Sequence, residues 1–444
     1  HDRDRGKGEG AFGGKEMIAI KNENVKIAAK EPGYLCVTDL KRGAEWILED
    51  CSLLFGGEIL KNEEVWQKGA DAMEPLRFYE ASKIGQELRM AYSADDRLVE
   101  YRYRLLPDGF EVKLIAESAG DLRALSMPGS FAPLYGCKKY LLPVMQGMLW
   151  TGKGPYTDRI LRNGQHVGFS MQMYGVLSEC GGLLCAAEES VDSRWRYVKD
   201  KQGYRVYNIA VSSLGKMAYD RTIRFFFTDN TVTAAAKRYR RFVMDAGRFV
   251  SWEEKIAARP AVGRLFGALM CYIGYLQDDI DYAAELKKLK KMGFERALVY
   301  PCAFNTYNTD FRMGGLPPIR LSHEQIAEIK AMGYDVSPWS WLNEAIVGRG
   351  HDDMFIENAD KERLFGWKID DFEWYKVCPS VIERRAAAAE AGEFSDMTWE
   401  HFDVLTCATV GECYAKSHGH EKPLSRKDEL AAVRRTLKHA AGCG

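Results

Sequence analysis

The sequence predicts two folded parts in series: a β-sandwich, then parallel β/α units that wind as the first half of a (β/α)8 barrel. Three observations predict this. From Met17 to about Phe249, short alternating strands follow one another with turn signals such as Pro107-Asp108-Gly109 and Gly181-Gly182 between them, and helical periodicity is nearly absent until Thr231. From Arg264 onward, strands alternate with amphipathic helices, as a parallel sheet with crossover helices requires. A weak repeat punctuates that second half, as Lys291-Met292-Gly293-Phe294, Ala331-Met332-Gly333-Tyr334 and Ala440-Ala441-Gly442-Cys443. In each, glycine supplies the left-handed turn that ends a helix and passes the chain into the next strand.

Residues 1–15 are rich in glycine and charge and read as a loose segment. Residues 16–250 form the sandwich, with strands at Met17–Ile20, Tyr34–Asp39, Glu87–Tyr92, Glu100–Leu105, Phe110–Ile115, Val167–Met173, Leu183–Ala187 and Arg221–Phe227. Alternating side chains on such strands bury one face of each sheet. Thr231–Ala246 reads as a helix capped at Asn230 or Thr231 that leads out of the sandwich. Residues 251–263 read as a linker. Residues 264–444 carry strands at Gly267–Tyr275, Arg296–Pro301, Asp335–Trp341 and Phe402–Cys407. Their helices are Asp278–Met292, capped by Asp278 or Asp279, then Ser322–Met332 with the capping box Ser322/Gln325, Pro379–Ala391 and Ser425–Ala441. That makes four units. A closed barrel needs eight, in about 250 residues, so the reading is a barrel truncated at its C-terminal side, with a long insertion between the third strand and its helix.

Hydrophobic content of 46% and charged content of 28% are those of a globular protein with ample core material. A net charge of −1 gives no electrostatic case for nucleic acid or an anionic membrane as partner, and no apolar run reaches the roughly 18–20 residues that span a bilayer. The eleven cysteines are odd in number and include no C-x-x-C pair. That argues against a disulfide framework and against a zinc site by spacing. Reduced, buried thiols favour the cytoplasm, while a start at His1 rather than Met leaves a lost secretion signal, and secretion, open. Gly-x-Ser-x-Gly, His-Glu-x-x-His and phosphate-cradling glycine loops are absent. Aromatic content of 12% suits rings stacking on sugar faces, while a plain β-rich core accounts better for most of these rings.

In a β/α barrel the site lies on the loops after the strands, and here those tails are loaded with chemistry. Strand one offers Tyr272. Strand two offers Tyr300 and, beyond it, Asn305. Strand three offers Trp339, Trp341 and Asn343, and strand four carries Asp403, followed by Glu412, His418 and His420. Rings that pack on C–H faces, with amides and carboxylates that bond hydroxyls, make a pyranose site; polar barrel loops without such a role are the plainer account. A carboxylate on a buried strand face is costly unless water or substrate meets it. Asp403 is therefore either a nucleophile beneath an anomeric carbon or a structural residue that bonds loop amides. His418 and His420 invite a metal, but no third ligand is evident. Hydrogen bonds to a sugar or plain exposure fit them better, so no metal is assigned. Asp370, Asp371 and Glu373 in the insertion are lid candidates or a solvent-facing loop.

Several stretches carry a resemblance: Tyr140–Gly147 (YLLPVMQG), Ser170–Val176 (SMQMYGV), Arg238–Val243 (RYRRFV) and, most specifically, F-D-V-L-T-C from Phe402, E-C-Y from Glu412 and H-G-H from His418. Loosely over its whole length, the chain resembles bacterial glycoside hydrolases that pair a galactose-mutarotase-like sandwich with a β/α barrel. The endo-α-N-acetylgalactosaminidases and α-N-acetylgalactosaminidases are the group in question. The resemblance implies a retaining hydrolase of an α-linked galactose or N-acetylgalactosamine, with Asp403 as nucleophile. It puts the acid/base glutamate in the following β/α unit, at or beyond Gly444, so the chain as given would be an inactive fragment of an enzyme. A carbohydrate or glycoconjugate is the partner implied. The resemblance admits calcium, although no motif shows it, and no cofactor is otherwise expected.

Two other readings compete. One is a non-catalytic carbohydrate-binding or scaffold protein that keeps the aromatic loops without a carboxylate pair. The other is a sugar epimerase or lyase on the sandwich, which would need a His/Glu acid–base set there; His166 is the sole histidine of that region after the first residue.

Overall fold

The structure is a computed structural model that describes residues 15–48, 53–55, 73–94, 96–144, 147–152, 158–162, 169–188, 191–200, 203–273, 280–301, 321–389, 399–406 and 410–442. The chain divides into two compact units, His1–Arg248 and Phe249–Gly444.

The first unit is antiparallel β throughout its described strands. A five-stranded sheet holds the first four strands and Phe131–Pro133, and a nine-stranded and a six-stranded sheet hold the rest. Several predicted strands recur with ends moved by a few residues: Tyr34–Asp39, Glu87–Ala94, Arg97–Leu106, Gly109–Leu114 and Arg221–Thr228. Val167–Met173 is different. Phe169 makes an isolated bridge with Val144, and the regular strand runs Met173–Ser178. In Arg97–Leu106 the alternation works as expected: Val99, Tyr101 and Tyr103 are fully buried and Arg104 is exposed. Phe110 stacks on Phe225 across the sheet at 4.8 Å.

Two central strands, Met173–Ser178 and Gly181–Ala187, are buried on both faces. The cause is the helix Val232–Asp245, which lays Ala235, Tyr239, Phe242 and Val243 over Leu141, Met173, Leu184, Ala186 and Phe226. Those helix positions fall at the spacing of one helical face. Thr231 caps the helix, its hydroxyl accepting from the N–H of Ala234 at 3.1 Å.

The second unit is α/β. Leu269–Ile273, Ala297–Pro301 and Tyr334–Val336 pair in parallel in that order. Trp339–Ser340 continues the third strand and pairs in parallel with His401–Phe402. Pro338, with no N–H to donate, sits at the break. Helices Tyr282–Lys291 and His323–Ala331 cover one face of this sheet and bury Leu286, Ile326 and Ile329 against Ala297, Val299 and Val336. The capping box at Ser322/Gln325 forms as predicted. Gly293 and Gly333 take φ of 94° and 85° just past their helices, in the left-handed region foreseen for them.

Three local expectations are corrected. The helix read from Asp278 begins at Tyr282 and is capped by Asp281, whose carboxylate accepts from the Ala284 N–H at 2.9 Å; Asp278 and Asp279 lie outside the described residues. The stretch read as a linker contains the helix Trp252–Ala258 with a Ser251/Glu254 capping box. Strand four is His401–Phe402 rather than Phe402–Cys407. Val404 has φ of 50°, which no extended strand allows, so the chain turns at Asp403; Cys407 lies outside the described residues. The long insertion is a three-stranded antiparallel sheet of Glu344–Ile346, Phe372–Lys376 and Phe365–Ile369.

Candidate active site

Four rings from four successive parallel strands meet at the strands' C-terminal ends. Tyr272 and Tyr300 are register partners, as are Trp339 and His401. The Tyr272 ring lies 5.7 Å from Tyr300 and 5.2 Å from Trp339; His401 lies 4.9 Å from Tyr300 and 4.4 Å from Trp339. Tyr272 is 45% exposed, whereas Trp339 is buried. The cluster is thus anchored at its base and open at one edge. Burial holds the His401 imidazole below its ordinary pKa, which favours the neutral ring. Sequence reasoning assigned the two tyrosines and Trp339 and passed over His401, although its place just before Phe402 on an inward register was readable.

Asp403 follows two residues after His401. Its backbone N–H donates to the Ser340 carbonyl at 2.8 Å, the last ladder bond of strand four. The side chain is half-buried. Beside it, Ser340 donates its hydroxyl to Glu400 at 2.6 Å. The carboxylate therefore stands at a strand end on a turn held by tertiary contacts, which is where a β/α sheet presents reacting groups.

Trp341 belongs to a second aromatic group. It stacks on Trp374 at 4.4 Å and on Trp367 at 5.6 Å, both from the insertion hairpin. Glu344 accepts from Trp367 Nε1 at 2.7 Å and pairs with Lys376, with both charged side chains nearly buried. Asn343 is 7% exposed, its side-chain amide has no hydrogen-bond partner among the described residues, and it lines a small cavity with Lys376, Leu405 and Val433. Glu412 is committed to an ion pair with the buried Arg426 at 2.8 Å. Asn305 lies outside the described residues, as does His166. Asp370 and Asp371 form the exposed hairpin turn, and Glu373 pairs with Lys368.

His418 and His420 are not alone. Cys378 and Cys413 join them, and one ligand atom from each of the four lies within 4.8 Å of the others. Cys378 ends the insertion and precedes helix Pro379–Ala389; the other three sit on the loop before the last helix. His418 is 2% exposed. Its Nδ1 is 3.3 Å from Cys413 Sγ, and its Nε2 is 2.9 Å from the Asp353 carbonyl. His420 Nδ1 is 2.9 Å from the Lys422 carbonyl, and its Nε2 is buried without a partner among the described residues. The hydrogen bond between the thiols, together with burial, pushes Cys378 up to about 12; the same bond, acting against burial, holds Cys413 below its ordinary value. Fully buried Glu429 lies 3.4 Å from Cys378 Sγ, and burial raises its carboxyl well above the usual range. Thiolates and imidazoles suit zinc and do not suit calcium, which takes oxygen ligands. Cys378 and the loop are 35 residues apart at their nearest ligands, Cys378 and Cys413, so no local spacing announced the group.

No protein-family profile matches the sequence, and no characterised protein matches it by sequence. Solved structures do. The ligand-free α-N-acetylgalactosaminidase NagBb from Bifidobacterium bifidum superposes with a TM-score of 0.76 at 16% identity, over 96% of this chain and 76% of that one. Its complex with GalNAc gives 0.74 at 16% identity, again over 96% and 76%. The chain shares its fold with this α-N-acetylgalactosaminidase. The NagBb complex with Gal-NHAc-DNJ repeats the match at 0.74 and 16% identity, over 96% and 75%. At this identity the likeness to NagBb is one of fold: a β-sandwich followed by an α/β part. No described helix is long and apolar enough to cross a membrane.

Proposed function

We propose that this chain is a retaining α-glycosidase for galactose or N-acetylgalactosamine type sugars, with Asp403 as its nucleophile and its parallel strands forming consecutive units of a β/α barrel. The observation that carries the reading is the convergence of Tyr272, Tyr300, Trp339 and His401 at the strand ends that lead to Asp403. The half-exposed Tyr272 offers a flat apolar face to a pyranose. The buried Trp339 and the half-buried Tyr300 and His401 beneath it hold that face in place. The likeness to NagBb, a fold seen with GalNAc bound, supports the sugar class.

In this mechanism the Asp403 carboxylate attacks the anomeric carbon as the bond to the leaving oxygen breaks, giving a covalent glycosyl-enzyme. A second carboxyl, about 5–5.5 Å away in retaining enzymes, protonates the leaving oxygen and then deprotonates the water that hydrolyses the intermediate. An activated aryl α-glycoside separates the roles, because its leaving group departs without a proton. The chain should release the phenol from 2,4-dinitrophenyl α-N-acetylgalactosaminide, and Asp403→Asn should abolish release. Sugar binding with no release by the unaltered chain would instead support a non-catalytic carbohydrate-binding protein.

A further inference from the structure

We propose that Cys378, Cys413, His418 and His420 form a closed zinc site that staples the loop after Asp403 to the start of helix Pro379–Ala389. The four ligand atoms lie within 4.8 Å of one another. A tetrahedral zinc with Zn–S of about 2.3 Å and Zn–N of about 2.0–2.1 Å has ligand–ligand edges of roughly 3.3–3.8 Å. The separation between His418 Nδ1 and Cys413 Sγ, 3.3 Å, already sits on such an edge. A small contraction of the group would complete the shell.

The second set of contacts points the same way. His418 Nε2–H donates to the Asp353 carbonyl and His420 Nδ1–H donates to the Lys422 carbonyl. These bonds fix opposite tautomers, so the lone pairs left over are His418 Nδ1 and His420 Nε2. His420 Nε2 is buried and has no other partner among the described residues. Metal-bound histidines are oriented by this kind of carbonyl bond. Ser380 Oγ lies 3.0 Å from Cys378 Sγ, and backbone groups of Ala415 and Glu357 hydrogen-bond to Cys413 Sγ, as donors to thiolates should.

Charge decides the metal and its role. On binding, the two thiols give up one proton each, and a divalent cation with two thiolates and two neutral imidazoles is neutral overall. A neutral complex tolerates the apolar surroundings of Cys378 and Cys413, which include Val381, Ile382 and Leu405. Four protein ligands leave no open coordination position, so the zinc is structural rather than catalytic. It ties strand-four's following loop to the end of the insertion and fixes the ground on which Asp403 turns. The site does not depend on the glycosidase reading, and its test needs no activity.

The full chain, purified under reducing conditions without chelator or metal-affinity resin, should contain one zinc per chain by mass spectrometry of the metal. Replacement by cobalt should give the intense visible bands of a tetrahedral site and a thiolate charge-transfer band. Cys413→Ser and His420→Gln should each lose the metal, while Cys180→Ser, at an exposed cysteine, keeps it. If the ligand variants do not fold, the cobalt spectrum of the unaltered chain and zinc protection of Cys378 and Cys413 from alkylation decide the question. A chain grown with zinc that carries none and shows no cobalt bands would overturn the proposal. So would a Cys378–Cys413 disulfide in the reduced preparation, or stoichiometric metal retained by folded Cys413→Ser.

Discussion

The imidazole of His401 packs against the indole of Trp339 with ring centroids 4.4 Å apart, the two residues facing each other across adjacent parallel strands. Burial lowers the folded-state pKa of His401. Folded and unfolded chains both hold the ring neutral above the unfolded value of about 6.5. Below it the unfolded chain takes up a proton first, so stability is lost as pH falls toward the folded pKa. Urea midpoints measured from pH 8 down to pH 5 should fall, and His401→Phe, which keeps a ring, should flatten that fall. An identical slope in the variant would remove His401 as the cause.

Tyr272 and Trp339 separate binding from folding. Trp339 is 6% exposed, and Trp339→Ala should cost about 3–5 kcal/mol of stability, as for large buried aromatics. Tyr272 is the open edge of the same group. Tyr272→Ala should cost about 1 kcal/mol or less yet weaken N-acetylgalactosamine binding by about tenfold, equivalent to about 1.4 kcal/mol. Isothermal titration beside thermal melts distinguishes the two, and unchanged affinity in Tyr272→Ala would count against the platform.

The nearly buried pair Glu344–Lys376 makes an asymmetric prediction. Lys376→Met alone strands a carboxylate that then keeps, among the described residues, only the Trp367 bond, at about 3–5 kcal/mol. The double variant with Glu344→Leu removes both charges and should recover much of that loss. Denaturant midpoints of the two singles and the double check it; additive losses would mean the pair is not coupled.

Gly333 stands just past helix His323–Ala331 at φ of 85°, with the Glu295 carbonyl 3.3 Å from where a Cβ would lie. Gly333→Ala should therefore destabilise the chain by roughly 1 kcal/mol or more. A neutral effect in thermal melts would show that the helix end relaxes.

What was legible was local. The Ser322/Gln325 box and the glycines at 293 and 333 form by contacts within a few residues, and the structure has them as read; of the two caps read for the helix after the sandwich, Asn230 or Thr231, it has Thr231. The Ser251/Glu254 box was equally local and was missed under the label of a linker. What was not legible was decided at a distance. Strand four ends at Phe402 because the chain turns through Val404 just after the last ladder bond, from the Asp403 N–H to Ser340, a tertiary choice that an apolar run cannot signal. Trp341 meets Trp367 and Trp374 only once the insertion folds into a hairpin. Cys378 reaches Cys413 and the two histidines in the same way.

Covalent trapping tests the central claim most directly. The chain is mixed with excess 2,4-dinitrophenyl α-N-acetylgalactosaminide, quenched in acid, digested and mapped by mass spectrometry. Mapping should find one sugar residue linked to the peptide at Asp403, and no adduct with release cut by at least about 10³-fold in Asp403→Asn, the scale on which losing a reacting group acts. An adduct on another residue, or release unchanged in Asp403→Asn, would contradict it.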